Sequence, residues 1–395
     1  MTIPKSKLPL YLIGGVLLLI LPLFAQSFGD AWVRILDFAL LYVLLALGLN
    51  IVVGYAGLLD LGYVAFYAVG AYLFGLLASP HLLETFPAMK AMFPNGLHIS
   101  WWVALPLGAL LAGAAGVVLG APTLKLRGDY LAIVTLGFGE IVRVFLNNLD
   151  APVNITNGPK GLTPIDSFNI FGYSLGESHH FLGIEFAPVT NHYYLFLLMA
   201  IFSVFVCYRL ERSRIGRAWM AIREDEVAAK AMGINTRNMK LLAFGMGATF
   251  GGVSGVLFAS FQGFISPESF SLQESIMIVA MVVLGGLGHL PGVIVGAVLL
   301  AALPEVLRYV AGPLQHMTGG RLDASILRQL LVALAMIGIM LARPRGLWPS
   351  PEHGTAAPQP VVEPPPDDDP GVPQRVTPRS STATNVVRGS GARHV

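Results

Sequence analysis

Long apolar runs separated by short polar stretches limit this 395-residue chain more than any other feature of its sequence. Several runs reach the ~18–20 residues that a helix needs to cross the ~30 Å hydrocarbon core of a bilayer. Inside lipid every backbone polar group needs a partner within the protein, which a helix supplies from its own segment. The pattern predicts an all-α integral membrane protein. The predicted spans, about ten in number, are 8–28, 32–53, 57–79, 101–121, 128–147, 192–209, 239–262, 273–289, 292–311 and 326–342.

The composition supports a membrane protein and argues against a soluble enzyme. Hydrophobic residues make up 54% of the chain and charged residues 12%, about half of the roughly 25% charge that soluble domains carry. The net charge is only +2, and the basic residues form no phosphate-binding stripe, so the lipid membrane is the expected partner and nucleic acid is not.

The residue types that build metal and cofactor sites are sparse. Cys207 is the single cysteine, which excludes a disulfide framework and a cysteine-based metal site within the chain. His179, His180 and His192 lack the carboxylates and the spacing of a metal site. No metal, cofactor or catalytic residue is therefore predicted, and the chain is not expected to be an enzyme.

The distribution of lysine and arginine predicts the orientation of the spans. Inner loops of membrane proteins collect these residues, and the ten-span layout places most of them on one side when both termini are cytoplasmic. The long segment 148–191 then lies outside, on the periplasmic side. Residues 1–28 form a retained helix in this interpretation, because their apolar run exceeds the usual length of a signal peptide core.

The chain divides into two parts of different composition. Residues 1–345 carry the predicted spans and form a transmembrane domain. Residues 346–395 are rich in proline, serine, threonine and glycine and have no apolar periodicity, which predicts a disordered cytoplasmic tail.

The only long inner segment in this layout is 211–240, which we call the coupling loop. Six arginines and two lysines lie in it or at its edges. Its stretch 224–232 consists of helix formers, and Gly233, reinforced by Asn235, supplies a C-terminal stop. A short amphipathic helix here suits a permease that receives force from a soluble ATPase. The alternative is a basic loop that only fixes topology against anionic lipid, although the acids at 224–226 disfavour a pure lipid anchor.

Glycines interrupt two of the predicted regions, 57–79 and 273–311, which predicts broken or re-entrant helices there. Unwound backbone at membrane depth is tolerated where it lines a polar cavity or is buried in protein. The residues that we consider for a translocation pathway are Asn50, Asp60, Gly62, Glu140, Arg143, Gly285, Gly286 and Gly288.

These pathway candidates have competing interpretations. For Asp60 a functional and a structural role are equally supported. Glu140 and Arg143 are three residues apart on one helix face, which favours a structural ion pair over a pathway role. Asn50 is expected to hydrogen-bond another helix rather than a substrate.

The energy source of such a permease lies outside the chain. No Gly-Lys dipeptide occurs in the sequence, so the phosphate-binding loop of P-loop ATPases is absent. The remaining sources are a partner ATPase and an ion gradient, which normally uses buried acids.

Five segments resemble one family of transporters. EDEVAAKAMGIN in the coupling loop resembles the EAA-type loop of ABC importer permeases, with Glu226, Ala228, Ala229 and Gly233 at the matching positions. Residues 30–345 as a whole resemble high-affinity branched-chain amino-acid permeases of the LivM type. The other segments that carry this resemblance are LALGLNIVVGYAGLLDLGYVAFYAVGAY (45–72), LRGDYLAIVTLGFGEIVRVFLNN (126–148), ITNGPKGL (155–162) and VLGGLGHLPGVIVGAVLL (283–300).

The resemblance implies an ABC importer permease fold in the bacterial inner membrane. It implies a heterodimer with a sister permease, two cytoplasmic ABC ATPase subunits and a periplasmic substrate-binding protein, with leucine, isoleucine and valine as substrates. The resemblance places Glu226, Ala228, Ala229 and Gly233 at the ATPase contact. The full set of residues that we predict for the ATPase-coupling loop is Arg217, Arg223, Glu224, Asp225, Glu226, Ala228, Ala229 and Gly233.

Two other functions remain open from the sequence. A urea or short-amide ABC permease has similar glycine-rich breaks but resembles the quoted segments less closely. An ion-coupled secondary transporter that uses Asp60 or Glu140 needs no ATPase and predicts uptake by the chain alone.

Overall fold

The structure is a computed structural model that describes residues 8–93, 97, 99–124, 126, 128–170, 172–181, 184–317, 324–343 and 346–348. This described part is mostly α-helical, which confirms the predicted fold class. The predicted tail lies outside the described residues except for 346–348.

The described residues form fourteen α-helices and two small sheets. The helices are α1 (Leu8–Gln26), α2 (Asp30–Leu49), α3 (Val64–Leu77), α4 (His81–Thr85), α5 (Pro87–Met92), α6 (Trp101–Thr123), α7 (Asp129–Asn148), α8 (Pro188–Glu211), α9 (Arg214–Glu224), α10 (Glu226–Ala231), α11 (Thr236–Gln262), α12 (Leu272–Gly285), α13 (Leu290–Met317) and α14 (Ala324–Ala342). The strands are β1 (Asn169–Ile170), β2 (Tyr173–Ser174), β3 (His179–Phe181) and β4 (Ile184–Phe186).

Ten of these helices correspond to the ten predicted spans, and the other four are the short helices α4, α5, α9 and α10. By length and composition, six segments of the described residues are long and apolar enough to cross a membrane. Parts of α1 and α14 and the whole of α3 are shorter apolar helices. The largest difference from the predicted bounds is at α3, which begins at Val64 rather than at 57.

The segment between α7 and α8 contains secondary structure that the sequence did not predict. Strands β1 and β2 pair antiparallel, as do β3 and β4, and each pair forms a small hairpin. Leu162 and Ile265 exchange backbone hydrogen bonds of 2.9 and 3.2 Å. These bonds attach the segment to the end of α11. We call this end of the helices the hairpin end and the opposite end the coupling-loop end.

Helix α11 lies at the centre of the described helices and packs against α6, α3 and α2. Small residues make this packing close. A Cβ atom added at Gly252 would overlap the Gly108 carbonyl of α6, and one at Gly255 would overlap the Tyr67 carbonyl of α3. Such contacts replace the hydrophobic effect as the main source of helix association in lipid.

Helix α1 is attached to α8 by a hydrogen bond that compensates for a proline. Pro22 lies inside α1 and has no N–H for the carbonyl of Leu18, four residues earlier. The Tyr193 hydroxyl donates to this carbonyl over 3.0 Å. The next hydroxyl along α8, that of Tyr194, donates to the Leu19 carbonyl over 3.1 Å. Helix α1 is therefore packed as a member of the bundle.

Candidate functional site: the coupling loop and two helix breaks

The chain between α2 and α3 is unwound, as the glycine pattern predicts. Helix α2 runs into a π-helical turn, Asn50–Tyr55, and regular helix resumes only at Val64. We call residues 56–63 the first break. Gly57 has a φ of +69°, a left-handed conformation that favours glycine.

Side chains from distant helices satisfy the backbone of the first break. The Leu61 N–H donates to Thr135 Oγ1 of α7 over 3.0 Å, and the Leu61 carbonyl accepts from the Ser275 hydroxyl of α12. A Cβ at Gly62 would overlap the Thr135 carbonyl, so the break lies directly against α7. The unwound backbone is thereby paired inside protein, as membrane depth requires.

Asp60 is a buried member of the first break. Its Oδ1 atom accepts the Gly62 N–H over 2.9 Å. The side chain borders a small cavity of about 10 Å³ that α6, α7 and α11 help to line. The structure thus shows a local structural role for Asp60 and buries Gly62 beside it, while a pathway role for both stays a prediction.

The second break, residues 286–289, separates α12 from α13. Gly286 and Gly288 have φ values of +120° and +76°. The last carbonyls of α12 accept backbone N–H groups from near the end of the described chain, namely Leu284 from Leu347 over 2.8 Å and Gly285 from Trp348 over 3.2 Å. Packed structure therefore extends past residue 345, the predicted last residue of the transmembrane domain.

The π-helical turn that leads into the first break meets the second break at the coupling-loop end. Asn50 is buried, and its Oδ1 atom accepts the Gly288 N–H over 3.0 Å. A Cβ at Gly54 would overlap Asn50 Oδ1 and would lie 2.7 Å from the Gly288 nitrogen. Asn50 thus bonds another segment of the protein, as expected.

The coupling loop contains two helices where the sequence predicted one. Helix α9 is capped at its start by Ser213, whose hydroxyl accepts the Gly216 N–H over 3.1 Å. Its Trp219 side chain is fully buried and donates to the Met239 carbonyl of α11 over 2.7 Å. The buried side chain of Ile222 lies one turn further along. One face of α9 is therefore fixed to the bundle.

The three successive acids of the coupling loop have separate structural roles. Glu224 is the last residue of α9. Asp225 caps α10 and accepts the N–H groups of Val227 and Ala228 over 2.8 and 3.1 Å. The Glu226 carboxylate pairs with Lys240 of α11 at 2.7 Å.

The surface of α10 has one buried side and one exposed side. Ala229 is buried, whereas Ala228 is exposed and Val227 and Met232 are 69% and 84% exposed. Gly233 follows with a φ of +85°, which is the predicted stop.

The predicted role of Asn235 was wrong. Its side chain accepts the Asn238 N–H over 3.1 Å and so caps the start of α11 rather than reinforcing the end of α10. A capping side chain serves the helix that follows it, because the free N–H groups belong to the first turn.

Arg223, in the last turn of α9, joins the coupling loop to both breaks. Its Nη1 atom donates to the Gly54 carbonyl. A Cβ at Gly57 would come within 2.9 Å of Arg223 Cγ, and one at Gly288 within 2.7 Å of Nη1. Arg217, by contrast, is exposed and donates to the nearby Arg212 carbonyl over 3.0 Å.

Glu140 and Arg143 form the predicted ion pair, away from the coupling loop. Arg143 Nη2 lies 2.9 Å from Glu140 Oε2, and Nη1 lies 3.2 Å from Glu268 Oε1. Glu268 belongs to a short 3₁₀ helix, Pro267–Phe270, and was not among the predicted residues. The predicted site residues therefore fall into a coupling-loop group, the Asp60–Gly62 segment packed against α7, and this ion pair on α7.

Sequence reasoning also missed two acids within apolar helices. Asp37 of α2 is fully buried, and neither of its carboxylate oxygens has a hydrogen-bond partner among the described residues. Glu274 of α12 accepts a hydrogen bond from the Tyr42 hydroxyl of α2 over 2.9 Å. The rule that drew attention to Asp60, an acid inside an apolar region, also applies to both of these residues.

A comparison with known families identifies the type of protein. The profile of a family described as "Branched-chain amino acid transport system / permease component" matches residues 32–341, which is more than half of the chain. The chain belongs to this permease family. No solved structure gives a significant match to the permease.

Curated relatives of the permease include two kinds of subunit. Over 355 residues it is 40% identical to the high-affinity branched-chain amino acid transport system permease protein LivM of Escherichia coli K12, covering 87% of this chain and 75% of that protein. Over 263 residues it is 27% identical to the corresponding protein LivH of Salmonella typhimurium, covering 66% of this chain and 79% of that protein. The permease is therefore similar to both LivM and LivH proteins.

Proposed function

We propose that this chain is a transmembrane subunit of an ATP-driven importer for the branched-chain amino acids leucine, isoleucine and valine. The importer comprises this chain, a sister permease, two ABC ATPases on the cytoplasmic side and a substrate-binding protein on the periplasmic side. The similarity to both LivM and LivH supports a pair of different permeases. The proposed location is the bacterial inner membrane, with both termini cytoplasmic.

The contact between Arg223 and the two breaks is the observation that carries this proposal. A loop that only fixed topology against lipid would need no contact with the interior of the bundle. Arg223 instead bonds the Gly54 carbonyl and lies against Gly57 and Gly288. A displacement of α9 is therefore transmitted directly to both unwound segments.

The surface of α10 supports an ATPase as the source of that displacement. Val227 and Met232 are exposed apolar side chains on a loop that is otherwise rich in charge. Buried apolar side chains at the centre of an interface are typical anchors of protein contacts. Arg223, in the last turn of α9, lies only four residues before Val227 of this surface.

Ion-coupled transport is the competing mechanism, and Asp37 is the observation that favours it. A buried acid without a hydrogen-bond partner among the described residues is the type of group that ion-coupled transporters use. This mechanism requires no ATPase and gives Arg223 no special importance.

The test compares Arg223→Gln with Arg214→Gln in the tagged importer, purified in mild detergent from its host and placed in liposomes. A hydrogen bond to a charged group contributes ~1.5–3 kcal/mol, so we expect Arg223→Gln to lower ATP-dependent leucine uptake by about tenfold or more. The ATPases should still co-purify, and their hydrolysis should continue. Arg214→Gln removes the same charge from the exposed start of the same helix and should leave uptake within about twofold of the wild type.

Two results would contradict the proposal. If the chain purifies without ATPases and takes up leucine alone in liposomes, the ion-coupled mechanism replaces it. If both arginine variants behave alike, Arg223 does not carry the coupling.

A further inference from the structure

Polar side chains follow one edge of α7 from the middle of the helix to its hairpin end. Glu140, Arg143 and Asn147 are spaced by three and four residues, which places them on one side of the helix. Glu268 approaches this edge from the 3₁₀ helix and contacts Arg143. We call these four residues the polar ridge. Asn147 Oδ1 is buried and has no hydrogen-bond partner among the described residues.

The depth of the polar ridge makes its exposure informative. With a rise of 1.5 Å per residue, Glu140 lies about 16 Å along the ~30 Å length of α7, which is the middle of the helix. The side chains of Glu140 and Arg143 remain 32% and 28% exposed, and that of Glu268 is 69% exposed. Charged groups at this depth are costly in contact with lipid.

Other surfaces of the bundle show what a lipid-facing helix of this chain looks like. In the middle of α6 the exposed side chains include Leu110 and Leu111, and in the middle of α8 they include Ile201 and Phe202. All four are apolar. The polar ridge is therefore suited to water or protein rather than to hydrocarbon.

The chemistry of the polar ridge matches an amino acid. A free amino acid carries one carboxylate and one ammonium group, and both lose water on entering the membrane. The Arg143 guanidinium is suited to bind a carboxylate through two hydrogen bonds. The carboxylates of Glu140 and Glu268 are suited to bind the ammonium. Without substrate the Arg143 guanidinium pairs with both carboxylates, which limits the cost of holding the charges at this depth and leaves one net negative charge.

We infer that the polar ridge lines the translocation pathway and binds the charged backbone groups of the amino acid. The inference rests on the proposed function and names the residues that carry recognition within it. A wider cavity of about 480 Å³ lies between the hairpins and α8, but its lining residues include no charged side chain. That cavity is poorly suited to an amino acid, because both charges would be left unpaired.

Single cysteines test whether the polar ridge faces water. The chain has one native cysteine, Cys207, which is buried, so Cys207→Ala supplies a cysteine-free background. Asn147→Cys and Glu268→Cys place thiols on the polar ridge, and Ile141→Cys and Val144→Cys place them on the neighbouring apolar surface of α7, where the native side chains are 63% and 51% exposed. Each is made in the complete importer and treated with a charged, membrane-impermeant thiol reagent.

The expected result is faster labelling on the polar ridge. Only the thiolate reacts, and a thiol in hydrocarbon does not ionise, so the two polar-ridge cysteines should react about tenfold or more faster than the two controls. Leucine with the binding protein should slow their reaction. If the polar-ridge cysteines are as unreactive as Ile141→Cys, the polar ridge is packed against protein and has no access to water, and the inference fails.

An exchange of charges distinguishes binding from a purely structural ion pair. The double variant Glu140→Arg with Arg143→Glu retains a pair at the same spacing but reverses its direction. Because the loss of a hydrogen bond to a charged group costs ~1.5–3 kcal/mol, we expect the KM for leucine uptake to rise about tenfold or more while the complex still assembles. Unchanged uptake would show that the pair is structural only. The Cys207→Ala importer must first show ATP-dependent uptake, so a failure of the proposed function is detected separately.

Discussion

The two helix breaks of this permease are held in different ways. The first break is fixed inside the bundle by Thr135 and Ser275 and by close contact between Gly62 and α7. The second is held at the coupling-loop end by Asn50 and by backbone groups of residues 346–348. Both touch Arg223 at that end. The difference teaches that the first break has support from two distant helices in addition to Arg223, whereas the second depends, among the described residues, on contacts near the coupling-loop end.

The strongest test of this contrast is Gly62→Ala. The new methyl group would overlap the Thr135 carbonyl, and neither backbone is free to move. We expect a loss of about 3 kcal/mol or more in stability, seen as failure to purify as a monodisperse complex. Gly137→Ala on α7 is the control, because nothing lies within 4 Å of its added Cβ. A well-folded Gly62→Ala protein would show that the first break is not fixed.

A truncation after Arg345 removes the backbone support of the second break. The Leu284 and Gly285 carbonyls lose their N–H donors, which we expect to cost about 2–3 kcal/mol. Truncation after Pro351 removes most of the tail but keeps these donors, and its thermal unfolding in detergent should match that of the full chain. Equal melting temperatures of the two truncated chains would show that residues 346–348 do not support the second break.

Asn50→Leu tests the hydrogen bond that joins the π-helical turn before the first break to Gly288 of the second break. The Gly288 N–H would lose its acceptor, and an unpaired buried donor costs about 1–3 kcal/mol. A urea titration of the purified complex should show this loss, with Asn148→Leu, at the exposed end of α7, close to the wild type. Similar losses of stability in both variants would mean that the hydrogen bond to the Gly288 N–H does not itself stabilise the protein.

Thr135→Val should have the smallest effect. It removes the acceptor of the Leu61 N–H while nearly preserving volume, and hydrogen bonds between membrane helices are typically worth only ~0.6 kcal/mol. Thr135→Ser keeps the hydroxyl and is the matched control. Hydrogen exchange at Leu61 should accelerate in the valine variant only, and equal rates would contradict the proposed support from α7.

The sequence predicted which segments are helical more successfully than it predicted how they meet. The apolar runs place ten helices to within a few residues, except at the start of α3. That start depends on Thr135 and Ser275, which are 74 and 214 residues from Leu61. No local pattern contains contacts of this range.

The same limit applies to the candidate site. The Glu140–Arg143 pair follows from its spacing, but Glu268 is 125 residues from Arg143 and belongs to a different segment. In the coupling loop, composition indicated helix, yet the boundary at Asp225 depends on a capping geometry that composition does not specify. The contact of Arg223 with Gly54 spans 169 residues and was likewise not foreseen.

The bond between Tyr193 and Leu18 bears on the order in which the protein is made. Synthesis delivers the N-terminus first, so α1 is complete long before Tyr193, 175 residues later, leaves the ribosome. During that interval Pro22 leaves the Leu18 carbonyl without its usual partner in the helix. Helix α1 thus reaches its final hydrogen bonding only when α8 is in place, which makes its docking a late step in biogenesis.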